Sequence, residues 1–250
     1  SAVIDAIITF FMVLFGINFA LFYRVLVGGW RDALRSEELH WYLALFAGST
    51  LFVSLMILPQ YGTFLNALRY GSFQVATIMS TTGYATADFN LWPQAVKALI
   101  VVLMFIGSCA GSTAGGIKVV RVGILCKLGC REVRRTFQPR KVQVVRFEGK
   151  GVEENRLTQV SVFFFVYVLL VLVGMFLVSL EGLYDLETNF TAVLTCISNV
   201  GPGLGHVGPV ENFSGYGPFA KVVLSLLMLA GRLELFPILV LFHPSAWRKG

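Results

Sequence analysis

Five apolar runs, each long enough to cross a bilayer as a helix, constrain this chain more than any other feature. A helix needs about 20 mostly apolar residues to span a hydrocarbon core. Residues 3–27, 41–59, 93 to about 124, 157–180 and 218–242 meet that condition. Two shorter segments, 64–80 and 187–198, read as helical but are too short or too polar to cross. Each follows one spanning run and precedes the next, which suggests a half-helix that dips into the membrane and returns. The composition agrees: 56% of the 250 residues are hydrophobic and only 14% are charged, against about 25% charged in soluble domains. That excludes a disordered chain, and four cysteines are too few for a disulfide scaffold. All four read as free thiols.

The net charge of +6 is a topology signal before it is a binding signal. Residues 118–156 carry eleven of the twenty Lys and Arg (Lys118, Arg121, Lys127, Arg131, Arg134, Arg135, Arg140, Lys141, Arg146, Lys150 and Arg156) against four acids. Arg24, Arg31 and Arg35 sit in the first linker, and Arg248 and Lys249 in the tail. If the five spans alternate, all these bases fall on one side, and the positive-inside rule makes that side cytoplasmic. Lipid headgroups or a partner are second uses of that face; nucleic acid is not expected. Asp5, Asp88, Glu181, Asp185, Glu187 and Glu211 lie on the opposite side. The first run has neither a basic leader nor a small-residue cleavage site, so it does not read as a signal peptide. Asp5 inside it and a first residue other than Met suit a piece of a longer or processed chain.

The chain repeats itself. Thr77-Ile-Met-Ser-Thr-Thr-Gly83 returns as Thr195-Cys-Ile-Ser-Asn-Val-Gly201, an offset of 118. Pro93 and Ala95 return as Pro218 and Ala220, and Leu103 to Gly107 as Leu227 to Gly231 at an offset of 124. Each unit reads as span, half-helix, polar glycine turn, span. The expected organisation is residues 1–30 as the last helix of a preceding unit, 31–40 as a cytoplasmic linker and 41–130 as one unit. A basic cytoplasmic loop at 131–156 then joins a second unit at 157–250. Both units start on the cytoplasmic side, so they are parallel repeats about an axis along the membrane normal. A pore would run along such an axis.

The glycine turns carry the chemistry. Glycine at 83 and 201 permits positive φ, so successive carbonyls can face one way. Aligned carbonyls can replace the water shell of a monovalent cation. The bland alternative is a pair of ordinary glycine turns outside the membrane; two in register within repeated units weigh against it. The interior of the third run, Gly107, Ser108, Cys109, Ala110, Gly111, Ser112, Thr113, Ala114, Gly115 and Gly116, has four glycines in ten residues. Helix propensity fails there, so a break at membrane depth is expected, where it must line a cavity or be buried in protein. A small-residue packing surface and a mobile constriction both fit. A phosphate loop does not, because Ile117 and Lys118 stand where Lys and Ser/Thr are needed. Arg232 lies within the last apolar run, an expensive place for a charge, and so should face a wet cavity or another helix's acid. Glu234 is two residues away and does not face it on a helix. The repeat aligns Arg232 with Ser108, which suggests one shared constriction with Arg232 as an electrostatic barrier; a structural ion pair is the alternative. His206 and His243 have no ligand spacing, and no transition metal is assigned.

Thr81-Thr-Gly-Tyr-Ala85 is similar to the T-V-G-Y-G filter of potassium channels. Together with the parallel units and the glycine run, it resembles the Trk/Ktr/HKT superfamily, most closely the C-terminal half of its bacterial TrkH-type members. The resemblance implies an all-α integral membrane protein of M1–P–M2 pore repeats with re-entrant P-loops, of which this sequence would hold the third and fourth. It implies K+ uptake across the bacterial inner membrane by a multi-pass chain, with Na+ as a further permeant ion. Thr81, Thr82, Gly83, Tyr84, Asn199, Val200, Gly201 and Pro202 would then shape the filter, and residues 107–116 would be an intramembrane gating loop. It further implies a homodimer and a TrkA-type cytosolic nucleotide-binding regulatory subunit docked on the basic face. A coupled secondary transporter and a non-transporting membrane subunit are the rival functions. No nucleophile–base or paired-carboxylate constellation suggests an enzyme.

Overall fold

A computed structural model describes residues 1–138 and 143–233. Arg140 and Lys141 of the basic loop, and Glu234, Phe242, His243, Arg248 and Lys249 near the C-terminus, lie outside the described residues. The described chain is mostly helical: α1 (Ala2–Phe15), α2 (Phe19–Leu26), α3 (Trp30–Leu34), α4 (Glu37–Tyr61), α5 (Phe64–Met79), α6 (Gln94–Ile106), α7 (Val119–Phe137), α8 (Glu154–Ser179), α9 (Leu186–Ser198) and α10 (Pro218–Arg232). A small hairpin, β1 (Arg146–Phe147) and β2 (Lys150–Gly151), interrupts the helical series. Its strands are antiparallel, with Arg146 opposite Gly151 and Phe147 opposite Lys150. Glu148 and Gly149 both take positive φ (53° and 71°), the geometry a two-residue hairpin turn favours.

Local chemistry sets the helix ends. Thr63 caps α5 and Asp185 caps α9, each side chain accepting from a backbone N–H in the first turn. Hydrogen bonding to Thr188 holds the Asp185 carboxyl below its usual range. Its capping contribution is therefore complete at neutral pH and disappears as acid carries the pH down through that lowered value. Pro218 opens α10 at a position where its missing N–H costs nothing.

The two units pack alike. The short helix α5 lies against α4 and α6, and α9 lies against α8 and α10, with α6 also touching α9. From Phe73 to Met79 every residue of α5 is buried, and so is every residue of α9 from Thr191 to Ser198. Helices apolar or small all round belong inside a protein rather than on its surface. One apolar core runs through both units, from Tyr42 and Ile57 to Leu224 and Ala230. Asn90 and Gly205 join the units at the ends of their glycine turns. The Asn90 Nδ2 donates to the Gly205 carbonyl (3.1 Å) and its Oδ1 accepts from the Gly205 N–H (3.0 Å).

Five spans were expected, the third with a break at its glycine run, and the chain agrees only in part. Among the described residues α4 and α8 are long and apolar enough to cross a membrane singly; α1 with α2 makes a third candidate, bent by 89°. The expected first span breaks after Gly16 because Asn18 starts a new helix, its Oδ1 accepting from Ala20 N–H at 2.9 Å. The third breaks at the glycine run, leaving α6 with 13 residues, about 20 Å at 1.5 Å per residue. The helix α7 continues to Phe137, through Arg131, Arg134 and Arg135, where a loop was expected to begin at 131. Among the described residues, the hairpin inside that loop is the one departure from the all-helical expectation.

Arg69 on α5 donates to Asp5 on α1 at 2.7 Å, with the two side chains 29% and 12% exposed. Removing one partner of a fully buried pair costs about 3–5 kcal/mol. Because Arg69 is partly exposed, Arg69→Met should cost about 2 kcal/mol in thermal unfolding of the solubilised protein, and Asp5→Leu with Arg69→Met should recover most of it.

Candidate functional site

The two glycine turns leave their half-helices in the same way, bond for bond. In the first, Thr81 N–H donates to Ile78 O (3.2 Å) and Thr82 N–H to Thr77 O (3.0 Å). In the second, Asn199 N–H donates to Cys196 O (3.1 Å) and Val200 N–H to Thr195 O (2.9 Å). Every partner is displaced by the same 118 residues. Thr81 and Asn199 both enter the left-handed region, at φ 54° and 55°, and Gly83 and Gly201 follow at φ 83° and 117°. Asn tolerates that region; a β-branched Thr rarely does, and such strain costs about 1–3 kcal/mol. The sequence singled out the glycines but gave no sign that the residue two places earlier would be strained too.

The turns meet. A Cβ placed on Gly201 would lie 3.4 Å from the Gly83 Cα, and one placed on Gly83 would lie 2.7 Å from the Val200 carbonyl oxygen and 3.6 Å from Pro202 Cδ. Thus Gly83, Val200, Gly201 and Pro202 come together, and Thr81, Thr82 and Asn199 flank them. Tyr84 is 59% exposed. Both turns follow the C-terminal ends of helices, which carry partial negative charge.

The turns differ in their support. In the second, Thr195 Oγ1 accepts from Gly201 N–H (3.0 Å) and donates to Pro202 O (3.2 Å). The matching Thr77 hydroxyl is wholly buried and makes no hydrogen bond to protein. The first turn has instead a hydroxyl pair, Ser80 and Thr82, 2.7 Å apart.

The glycine run lies against both turns. The chain leaves α6, makes an excursion, and returns: Ile117 N–H bonds Phe105 O (3.0 Å), Lys118 N–H bonds Ile106 O (2.8 Å) and Val119 N–H bonds Ser108 O (2.9 Å). The result is a loop closed at its base, with Gly107, Gly111 and Gly116 at positive φ. Within it, Ser112 Oγ donates to Cys109 O (2.6 Å). Gly115 N–H donates to Thr81 Oγ1 (3.1 Å), and Gly115 stands so close to the Ser198 carbonyl that no side chain could fit there. Gly107, Ser108, Cys109, Ala114 and Gly115 are buried, while Gly111 and Thr113 are exposed and Ala110, Ser112 and Gly116 are intermediate.

Arg232, at the end of α10, donates from Nη1 to Thr113 O at 2.9 Å. The repeat offset placed it beside Ser108; its observed partner is further along the same loop. A cavity of about 120 Å³ between them is lined by Thr113, Gly115, Gly116, Gly231 and Arg232 among others. Glu234, two residues further on, is outside the described residues. Gly231, one residue earlier, lies against the Ile197 carbonyl, and Asn199 Nδ2 donates to Met228 O (3.2 Å), so α10 is fastened to the second turn. Among the described residues no group of three or more His, Cys, Asp or Glu could hold a metal ion. The cysteines are all free, with Cys109 and Cys196 buried and Cys126 and Cys130 exposed.

The family model of TrkH, described as a cation transport protein, matches residues 60–249. This chain belongs to that family, and family membership with the long apolar helices makes it a membrane protein. It is 35% identical to the Trk system potassium uptake protein TrkH of Salmonella typhimurium over its whole length, and covers 52% of that relative. It is 31% identical to TrkG of Escherichia coli K12, with 96% of this chain and 49% of the relative covered. The crystal structure of the potassium transporter TrkH from Vibrio parahaemolyticus matches 99% of this chain and 53% of its own, at a TM-score of 0.90 and 33% identity. The chain thus spans about half the length of the curated relatives it matches.

The unequal support of the two turns has a measurable consequence. Thr195→Val should lower stability by about 1 kcal/mol, since it removes the hydroxyl that pairs Gly201 N–H and Pro202 O in a partly buried turn. Thr77→Val should be neutral or stabilising, and thermal unfolding of the two variants side by side measures the difference.

Proposed function

We propose that this chain forms part of a potassium-conducting uptake pore in the bacterial inner membrane, as a multi-pass protein with its basic face in the cytoplasm. The carrying observation is the meeting of the Gly83 and Gly201 turns, each with backbone in conformations open to glycine. In this reading each unit is an M1–P–M2 repeat: α4, α5 and α6 with α7 form one, and α8, α9 and α10 the other. The carbonyls and shape of Thr81, Thr82, Gly83, Tyr84, Asn199, Val200, Gly201 and Pro202 supply half of a filter, and two further units complete the ring. K+ is bound there as cargo by oxygen atoms in place of water, with Na+ as a further permeant ion. The function is transport and not catalysis.

Residues 107–116 act as the intramembrane gate. The loop touches both turns through Gly115, and Arg232 holds it at Thr113. A guanidinium there opposes resting cations and fixes the loop by one charge-assisted bond, so the packing and barrier roles reinforce each other. The relatives' names supply the ion; the basic cytoplasmic face suits a nucleotide-binding regulatory subunit of TrkA type, and two copies of the protein are the expected assembly.

Two measurements on the full natural protein in liposomes test this. Gly83→Ala forces a methyl toward the Val200 carbonyl and should cut K+ flux by about tenfold or more, the equivalent of 1–3 kcal/mol of strain. Arg232→Ala should raise basal cation flux several-fold. Unchanged flux in both variants would remove the pore reading, and saturable flux stoichiometrically tied to a second ion would favour a coupled carrier.

A further inference from the structure

The chain breaks twice within its apolar stretches, at 16–18 and at 107–116, and the two breaks are bound to each other. Cys109 N–H donates to Gly16 O (3.1 Å), and Phe19 N–H donates to Gly111 O (3.1 Å). A Cβ on Gly111 would fall 2.9 Å from Asn18 Oδ1. One side chain joins this contact from outside: Glu38, in the first turn of α4. Its Oε1 accepts from Ala110 N–H at 2.5 Å, and its Oε2 accepts from Asn18 Nδ2 at 3.5 Å.

A glutamate in the first turn of a helix ordinarily faces water and favours the helix dipole. Glu38 is only 6% exposed. Its carboxylate is directed across to the loop, where it takes up one of the N–H groups that the broken helix releases. Hydrogen bonds to charged groups are the stronger kind and are costly to break when buried. Besides the two backbone bonds at Cys109 and Gly111, three side chains hold the loop: Arg232 at Thr113, Thr81 at Gly115 and Glu38 at Ala110. Of these three, Glu38 is the one that also reaches the elbow between α1 and α2.

We infer that Glu38 is a positioning residue that latches the intramembrane loop in its constricted place by joining Ala110 to Asn18 at the α1–α2 elbow. This deepens the gating role proposed above and rests on it for its effect on flux. The contact makes the elbow and the loop move together or not at all. Opening then requires Ala110 to leave the carboxylate.

The loop contains its own reporter, because Cys109 is fully buried beside the latch. In the full natural protein, the rate of alkylation by a small maleimide is followed by peptide mass spectrometry. Cys126 and Cys130 serve as exposed controls and Cys196 as a buried one. Glu38→Ala should raise the Cys109 rate by roughly tenfold or more, as loss of a bond to a charged group implies, while Cys196 stays slow. Glu38→Gln should raise it less, because the amide oxygen still accepts from Ala110. Basal cation flux should rise in the same order. A Cys109 rate unchanged in Glu38→Ala overturns the latch. Equal acceleration of Cys109 and Cys196 also overturns it, since that marks general loosening. Faster Cys109 labelling with no cation flux in any variant upholds the latch and removes the pore reading instead.

Discussion

A peptide group freed from a helix inside a membrane must find a partner in the protein, because lipid offers none. That constraint organises this chain. Among the described residues, the breaks within its apolar stretches are bound to one another or to the glycine turns. The α1–α2 elbow exchanges backbone bonds with the glycine run. The glycine run in turn reaches the first turn through Gly115 and the last helix through Thr113. The irregular segments are therefore not separate accidents of sequence; each supplies donors or acceptors that the next one lacks. Replacing any of them by a continuous helix would remove partners from its neighbours.

The repeat explains why the arrangement is so regular. Two sequences related by a shift of 118 residues exit their short helices through identical hydrogen bonds and the same sign changes in φ. The residue types at corresponding positions differ: Thr81 against Asn199, Thr82 against Val200, Tyr84 against Pro202. Backbone geometry is thus kept where side chains are not, as expected if the carbonyls are the working groups. The side chains vary in how they support that geometry, with Thr195 bracing one turn and Thr77 bracing nothing.

Much of the fold was legible in the sequence for simple reasons. The apolar runs of α4 and α8 are long and uninterrupted, so length alone located them. The short helices showed because each is helix-like, too short or too polar to cross, and placed between two spanning runs. The glycine run announced a break by composition. What sequence could not give was the elbow after Gly16, since Asn18 becomes a cap only when the chain turns there and its neighbours accept the exposed groups. The extension of α7 to Phe137 was hidden by its charge, which reads as loop but is stabilised by ion pairs such as Arg131 with Glu154. At the site, the glycines were visible, whereas the Glu38 contacts join segments far apart in sequence and the bracing by Thr195 needs the turn to fold back on its helix. A partner for Arg232 could be foreseen in kind, but its identity as a backbone carbonyl at Thr113 could not.

The reciprocal bonds between Asn90 and Gly205 tie the loops that follow the two turns into a rigid bridge. A bridge at one end of a paired assembly acts as a hinge pin: the halves cannot separate there without losing both bonds at once. The opposite end is held differently, by a small apolar core of Ile124, Val145, Phe147 and Leu157 shared by α7, the hairpin and the start of α8. One end is thus pinned by directional bonds and the other by non-directional packing.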